Sequence, residues 1–155
     1  GEDPQSSGKR PAQTDSPLDL SSAPSDLYMR QPVDGSGWNT GIRDPQDPDG
    51  SFAVSLELSD TACVTSGTYE RYYMVDGEKY HHIIDKDTLY PANYFESLTV
   101  VTKDSGLADA LSTALFCMSY EDGLALAEKL GVDVLWIFPD GDIRYTSGRE
   151  ARIVK

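Results

Sequence analysis

The sequence predicts an α+β fold with an antiparallel or mixed sheet, several hairpins and two main helices. Strand-like runs outnumber helix-like runs, and Asp76-Gly77 marks a tight hairpin turn. Two further stretches combine capping residues with apolar helical periodicity. Strands that outnumber helices and are joined mainly by hairpins are typical of α+β domains.

Residues 1–26 differ in composition from the rest of the chain. They contain four prolines among serine, aspartate, glutamine and glycine, and Leu18 and Leu20 are almost their only large apolar residues. Such a segment cannot bury enough apolar surface to offset the loss of chain entropy. We therefore expect a disordered leader or linker over 1–26 and one domain over 27–155.

Three strands are predicted before the hairpin. Residues 38–43 form a short candidate strand that ends at Asp44-Pro45. Apolar and smaller or polar side chains alternate over residues 52–58, which is typical of a half-buried strand. A third strand follows over 61–66, and we expect Gly67 to break it.

The hairpin at Asp76-Gly77 is the clearest local element. Residues 70–75 and 78–84 flank this two-residue turn, which favours a type I′ geometry. In the corresponding register Tyr73 faces Tyr80 as an aromatic pair.

The second half of the chain contains both predicted helices. The first is capped by Asp104 or Ser105, and the second by Ser119 at its start and Gly131 at its end. The continuous apolar run over 134–138 is typical of a strand buried on both faces. The predicted elements are a strand over 98–102, the helix after it, a helix over 121–130, a strand over 134–138 and an edge strand over 143–145.

The charge of the chain limits the choice of partners. The formal net charge is −13 and the isoelectric point is near 4.3. A nucleic-acid partner is not expected, because such proteins need basic patches that displace counterions from phosphates. The two cysteines are expected to be free thiols, since two do not make a disulfide framework.

The first predicted helix carries a pair of oxygen-bearing side chains in an apolar run. Asp109 and Thr113 are four residues apart and therefore lie on one helical face. Two hard oxygen ligands suit Mg²⁺, which takes few protein ligands and leaves the rest to water and substrate phosphates. The alternative is structural: Asp offsets the helix dipole and Thr bonds back to a carbonyl one turn earlier.

Three further clusters could carry chemistry. Residues 65–69 contain hydroxyl side chains and Gly67, which permits close approach of a ligand, although an ordinary turn has the same composition. Alternation at the end of the hairpin places His82 on the face opposite to Asp85. The chain's two histidines, His81 and His82, could serve as acids or bases or could be structural. The polar loop over 85–92 could line a site or could simply be solvated.

Taken in order, these clusters resemble the ApbE-type flavin transferases (FAD:protein FMN transferases). The resemblance is carried by Ser66-Gly67-Thr68-Tyr69-Glu70-Arg71-Tyr72, Asp76-Gly77-Glu78-Lys79-Tyr80-His81-His82-Ile83-Ile84-Asp85, Leu98-Thr99-Val100-Val101 and Ala108-Asp109-Ala110-Leu111-Ser112-Thr113-Ala114-Leu115-Phe116. It runs from about Gly35 to Gly148 and corresponds to the C-terminal half of the family domain.

The resemblance implies an enzyme that transfers FMN from FAD to a Ser or Thr hydroxyl of a target flavoprotein, releasing AMP with Mg²⁺ on the pyrophosphate. It implies roles for eight residues: Asp109 and Thr113 as metal ligands, His82 and Asp85 as catalytic groups at the pyrophosphate, and Ser66, Gly67, Tyr69 and Thr88 at the flavin. It does not select a base between His82 and Asp85.

The chain departs from the family pattern in two places. The family usually follows the aspartate corresponding to Asp85 with Pro-x-Thr-Gly, whereas this chain has Lys86-Asp87-Thr88-Leu89. Replacing a rigid and a permissive residue should alter the loop beside the flavin. Nothing in residues 1–34 resembles the family's N-terminal half, which supplies much of the FAD pocket.

Three hypotheses follow from the resemblance. The chain is an incomplete, weakly active or inactive portion of a flavin transferase, a non-catalytic flavin- or nucleotide-binding domain, or a structural interaction domain. In the last case the surface left bare by the missing half should be apolar and prone to form a homodimer. The family also implies an extracytoplasmic location on a membrane-anchored lipoprotein.

Overall fold

An antiparallel four-stranded sheet lies between two helices on one face and a second sheet on the other. This computed structural model describes residues 37–47, 50–148 and 151–154. The predicted leader over 1–26 lies outside the described residues. The α+β prediction is confirmed, and every strand pair in the described residues is antiparallel.

The described residues form nine strands and two helices. In chain order they are β1 (Trp38–Arg43), β2 (Phe52–Leu58), β3 (Ala62–Gly67), β4 (Tyr72–Val75), β5 (Glu78–His81), β6 (Ser97–Thr102), α1 (Ser105–Phe116), α2 (Tyr120–Leu130), β7 (Asp133–Ile137), β8 (Ile143–Tyr145) and β9 (Ala151–Val154). The sheets have the orders β3-β6-β7-β8, β1-β2-β9 and β4-β5. Among the helices of the described residues, none is both long and apolar enough to cross a membrane.

Most predicted elements are present, with three corrections. Gly67 does not break its strand; it is the last residue of β3 and pairs with Ser97 of β6. The hairpin strands β4 and β5 are shorter than predicted. Strand β9 was not predicted, and it extends the second sheet by pairing with β2.

Apolar side chains fill both interfaces of the central sheet. On one face, the core between the sheet and the helices contains Leu98, Val100, Val134, Trp136, Ala108, Leu115 and Phe116. On the other face, the core between the two sheets contains Val101, Leu135, Ile137, Ile42, Leu56 and Leu58. All five residues of β7 are buried, which confirms the prediction from its continuous apolar run.

Capping residues determine where the helices begin and end. The Asp104 carboxylate accepts a hydrogen bond from the Leu107 amide at 3.0 Å, so Asp104 caps α1. Ser119 caps α2 through the Asp122 amide at 3.2 Å. Gly131 ends α2 with a φ of 70°, a left-handed conformation that glycine adopts without steric cost.

The hairpin has the predicted turn and register. Asp76 and Gly77 have φ values of 51° and 87°, as a type I′ turn requires. Tyr73 pairs with Tyr80, and their rings stack with centroids 5.6 Å apart. Lys79 on β5 contacts residues next to the ends of β3 and β6. Its ammonium donates to the Thr68 hydroxyl at 2.9 Å and lies 3.7 Å from Glu96. These contacts attach the hairpin to the edge of the central sheet.

The buried imidazole of His81 fixes the corner where the hairpin leaves the sheet. Its Nδ1 accepts from the Ile83 amide at 3.3 Å, so Nε2 carries the proton and donates to the Ala92 carbonyl at 2.8 Å. The ring also packs edge-on against Phe116, with centroids 6.0 Å apart. Burial lowers the pKa of His81 below its usual value, because the charged form is poorly solvated there. His81 is therefore a structural residue in its neutral form.

We expect this histidine to make stability depend on pH. Because the pKa of His81 is lower in the folded state, the unfolded chain binds the extra proton more readily as the pH falls below about 6.5. The free energy of unfolding should decrease in that range, and less so in His81→Gln. Urea unfolding between about pH 7.5 and pH 5 measures this difference.

The adjacent histidine provides the control. His82→Gln removes an exposed imidazole and leaves the buried ring of His81 in place, so the decrease that His81 causes should persist in this variant. Parallel pH profiles for the unmodified chain and His81→Gln would contradict the assignment.

Candidate functional site

The two predicted metal ligands lie on one exposed face of α1. Asp109 and Thr113 are both exposed, whereas Ala108, Ser112 and Leu115 on the opposite face are buried. Within the described part of the chain, neither the Asp109 carboxylate nor the Thr113 hydroxyl makes a hydrogen bond. The back-bonding alternative for Thr113 is therefore not realised in this structure. Both side chains are available to an external ligand.

The donor set suits a hard cation that arrives with its substrate. Residues 37–47, 50–148 and 151–154 contain no group of three His, Cys, Asp or Glu side chains that could hold a metal ion. A carboxylate and a hydroxyl are oxygen ligands of the kind that Mg²⁺ accepts when water and phosphate oxygens complete its shell. Asp109 and Thr113 could supply two of the oxygen ligands of such an ion, and the site is partial without the substrate.

A chain of hydroxyl groups connects β3 to this turn of α1. Ser66 on β3 donates to the Ser112 hydroxyl at 2.9 Å, and Ser112 donates to the Asp109 carbonyl, also at 2.9 Å. Ser112 is almost completely buried, at 1% exposure. The predicted flavin-site strand and the predicted metal-site helix are therefore joined directly.

Sequence reasoning did not identify Ser112 as a site residue. The signal was present, since a hydroxyl recurs on the buried face of an otherwise apolar helix, where it must find a hydrogen-bond partner. That partner belongs to a strand more than forty residues earlier in the chain, which the sequence pattern does not specify.

The segment after the hairpin brings Asp85 close to the same face of α1. Cys117, four residues after Thr113, donates from its thiol to the Ile84 carbonyl at 3.7 Å. Burial raises the pKa of Cys117, and the charge of Asp85 raises it further. Asp85 is itself buried, and it accepts a hydrogen bond from the Asp87 amide at 2.8 Å. We define the Asp109 face as Asp109, Thr113 and Cys117, with Asp85 beside its C-terminal end.

His82 is on the exposed side of this segment. It is exposed while its neighbours His81 and Ile83 are buried, so the predicted alternation is confirmed. Its Nδ1 is 3.2 Å from the Arg71 carbonyl. Partial burial raises the pKa of Glu70, and the nearby charges of His82 and Arg71 oppose that rise. His82 and Asp85 are therefore in different surroundings, although only two residues separate them.

Gly67 and Tyr69 form a second part of the candidate site. A Cβ atom on Gly67 would come within 2.7 Å of the Tyr69 ring, so the ring packs closely against the end of β3. Burial raises the pKa of the Tyr69 phenol, and the charges of Glu70 and Arg43 act on it in opposite directions. Because side chains alternate along a strand, Gly67 and the Tyr69 ring lie on the opposite face of β3 from Ser66.

The loop that contains Thr88 is closed by its own hydrogen bonds. The Thr88 hydroxyl is exposed and accepts from the Tyr90 amide at 3.3 Å. The Asp85 amide donates to the Tyr90 carbonyl at 2.9 Å, and the Leu89 amide donates to the Asp85 carbonyl at 2.8 Å. Thr88 therefore has a structural partner and still faces solvent.

Leu89 has a backbone conformation that normally belongs to glycine. Its φ is 59°, in the left-handed region, and its side chain is 77% exposed. For a residue with a Cβ this conformation costs roughly 1–2 kcal/mol. The family pattern has glycine at the position of Leu89. The loop therefore keeps the left-handed turn that favours glycine, although leucine occupies the position.

An apolar cleft in the described part of the chain lies away from these residues. It lies between the two larger sheets, lined by Leu56, Val101, Leu135 and Ile153 among others, and none of the eight predicted site residues contributes to it. Two of its polar groups are already paired, since Thr146 donates to Asp133 at 3.3 Å. The cleft therefore offers packing space rather than chemistry.

The comparison with known families decides which family this is. The model described as the ApbE family matches residues 22–136, about three quarters of the chain. The chain belongs to the ApbE family. The match begins before Gly35, inside the predicted leader, and ends before Gly148.

Two relatives illustrate the similarity to ApbE proteins. A FAD:protein FMN transferase of Treponema pallidum (strain Nichols) is 43% identical over 118 residues, which are 75% of this chain and 33% of that protein. A FAD:protein FMN transferase of Klebsiella pneumoniae (strain 342) is 35% identical over 117 residues, 74% of this chain and 37% of that protein. The chain thus spans about a third of the length of these relatives.

Solved ApbE structures share the fold. The ApbE protein of Thermotoga maritima matches with a TM-score of 0.69 and 36% identity, covering 76% of this chain and 38% of that one. The flavin transferase ApbE of Vibrio cholerae matches with a TM-score of 0.57 and 34% identity, covering 75% and 37%. The fold of the described residues is therefore an ApbE fold.

Replacing Leu89 by glycine should stabilise the protein. Relief of the left-handed strain, roughly 1–2 kcal/mol, exceeds the flexibility cost of glycine, roughly 0.5–1 kcal/mol. The side chain is largely exposed, so little burial is lost. We expect the urea midpoint of Leu89→Gly to rise by an amount equivalent to about 0.5–1 kcal/mol.

Tyr90→Gly is the matched control, because Tyr90 is exposed in the same loop but does not have a positive φ. We expect it to lower the midpoint. A decrease of similar size in both variants would show that Leu89 is not strained.

Proposed function

We propose that this chain supplies part of the active site of a flavin transferase, which moves FMN from FAD to a Ser or Thr hydroxyl of a target protein and releases AMP. The observation that carries the proposal is the exposed Asp109 face, connected through Ser112 to β3 and flanked by Asp85. Membership of the ApbE family supports the same chemistry, because the relatives compared above are named FAD:protein FMN transferases.

In the proposed reaction the acceptor hydroxyl oxygen attacks the phosphorus atom of the FMN moiety. A new P–O bond forms, and the bond to the bridging oxygen breaks, so that AMP leaves with that electron pair. Such reactions depend mainly on positioning and on neutralising the phosphate charge. Asp109 and Thr113 would hold Mg²⁺, whose positive charge would supply part of that neutralisation.

We assign the hydroxyl proton to His82 rather than to Asp85. The Nδ1 of His82 is 3.2 Å from the Arg71 carbonyl, so a proton on Nδ1 would leave Nε2 as an acceptor on an exposed ring. One oxygen of Asp85 is engaged by the Asp87 amide, and its side chain is buried. Asp85 would then orient the loop beside the phosphates.

The remaining parts of the proposal concern partners. FAD would be the substrate and a flavoprotein with a Ser or Thr site the acceptor, with the rest of the family domain or a second copy completing the FAD pocket. Lys86 forms an exposed ion pair with Asp87 at 2.6 Å, which partly offsets the negative charge of that loop. The extracytoplasmic, lipid-anchored location stays a prediction from the family resemblance.

Mass spectrometry of a threonine-containing acceptor peptide tests the transfer. Incubation with FAD and Mg²⁺ should add FMN to the peptide and release one AMP for each modification. If the chain alone is inactive, the assay is repeated with the part of the Treponema pallidum relative that this chain does not match. An unmodified peptide in both arms would refute the transferase proposal, and FAD binding without transfer would indicate a binding domain.

Asp109→Ala tests the metal assignment. Loss of a charged ligand should reduce Mg²⁺-dependent transfer by about 10²-fold or more, because the phosphate charge is no longer neutralised in place. Glu128→Ala, which removes an exposed acidic side chain from α2, should leave the rate unchanged. An unaltered Mg²⁺ requirement in Asp109→Ala would refute the assignment.

His82→Gln tests the proton acceptor. A positioned general base contributes typically about 10²-fold or more, so transfer should slow by that factor while FAD affinity changes little. Asp85→Asn is the comparison. It should weaken FAD binding more than it lowers the rate of FMN transfer from bound FAD. The reverse pattern in the two variants would assign the base to Asp85.

A further inference from the structure

We propose that Ser112 is a positioning residue that sets the Asp109–Thr113 turn of α1 against the Ser66 end of β3. This inference rests on the proposed function, since it concerns how the same site is held for FAD and Mg²⁺. Ser112 touches neither the substrate nor the metal in this proposal; it acts through the backbone of its own helix.

The geometry of the hydroxyl chain supports this role. Ser112 receives a hydrogen bond from Ser66 and gives one to the Asp109 carbonyl, each at 2.9 Å. In an α-helix the same carbonyl also accepts from the amide four residues later, which belongs to Thr113. The Asp109 carbonyl thus accepts from both Thr113 and Ser112. Through Ser112 and Ser66, this carbonyl connects both residues of the candidate metal site to β3.

Burial makes this attachment specific. Ser112 is 1% exposed, and its buried neighbours on α1 are the apolar Ala108, Leu111 and Leu115. An apolar helix face can slide or rotate on a sheet at little cost, whereas a buried hydroxyl needs its partner in one arrangement. The Ser66–Ser112 bond thus fixes the register in which the Asp109 face is presented.

A second hydroxyl pair on the same strand provides a matched control. Thr65 and Thr99 are hydrogen-bonded at 2.8 Å, and Thr65 is adjacent to Ser66 on β3. Because side chains alternate, this pair lies on the opposite face of the strand. Thr99→Val removes a buried hydroxyl pair of the same kind without touching α1.

The experiment measures FAD binding by flavin fluorescence, with and without Mg²⁺, to the 155-residue chain alone and together with the part of the Treponema pallidum relative that it does not match. Ser112→Ala should raise the Mg²⁺ concentration at half-maximal binding by about tenfold, as expected when a residue that orients a metal ligand is lost. FAD affinity without Mg²⁺ should change less than twofold. Thr99→Val should leave the Mg²⁺ midpoint unchanged.

A double-mutant cycle separates positioning from general destabilisation. In the Asp109→Ala background, Ser112→Ala should have no further effect on Mg²⁺-dependent binding, because the ligand it positions is already gone. A purely structural role would lower binding equally in both backgrounds. If Ser112→Ala does not fold, Ser112→Cys, which keeps a weaker donor of similar size, is expected to shift the midpoint in the same direction.

The outcomes distinguish this inference from the proposed function. Mg²⁺-dependent binding with the same midpoint in Ser112→Ala and the unmodified chain would overturn the positioning role alone. Mg²⁺-independent FAD binding, or no FAD binding even with the added part of the Treponema pallidum relative, would contradict the proposed function, and the positioning role with it.

Discussion

The packing of α1 against β3 and β6 determines where the candidate site residues lie. Its apolar face is buried with Leu98 and Val100 of the central sheet, which leaves the face with Asp109 and Thr113 exposed. The Ser66–Ser112 hydrogen bond adds a polar contact inside that interface. Burial of apolar surface supplies most of the stability of such a contact, and the hydroxyl pair selects one arrangement of it.

The hairpin segment depends on the same helix. The end of α1 supports this segment, because His81 packs on Phe116 and the Ile84 carbonyl accepts from Cys117. Asp85 therefore comes beside the Asp109 face, while His82 is on the exposed side of the same segment. The left-handed Leu89 closes the adjoining loop at an energetic cost, as is common where a turn is kept for function. The candidate site is thus assembled from one helix, one strand end and one loop.

Local sequence patterns predicted much of this fold. The caps, the Asp76-Gly77 turn and the buried run of β7 are all short-range signals, and each is confirmed, with Asp104 rather than Ser105 as the cap of α1. Strand β9 was missed because its four residues become a strand only by pairing with β2, about a hundred positions away. Glycine weakens strands and so predicts a break at Gly67, yet pairing with Ser97 keeps Gly67 in β3.

The candidate site was less predictable than the fold. The shared face of Asp109 and Thr113 follows from helical periodicity, and the opposite sides of His82 and Asp85 follow from alternation. The Ser66–Ser112 bond and the approach of Asp85 to Cys117 depend on tertiary packing, which these patterns do not specify. The position of Tyr69 over Gly67, on the other face of β3 from Ser66, also depends on tertiary packing.

Paramagnetic broadening in an NMR spectrum of the chain with FAD and Mn²⁺ tests the central claim most directly, because Mn²⁺ prefers the same oxygen ligands as Mg²⁺. The account predicts that the amide signals of Asp109 and Thr113 broaden first, followed by those around Asp85, while Tyr145 on β8 is unaffected. Strongest broadening at another acidic position, such as Glu121 or Asp122 at the start of α2, would contradict it.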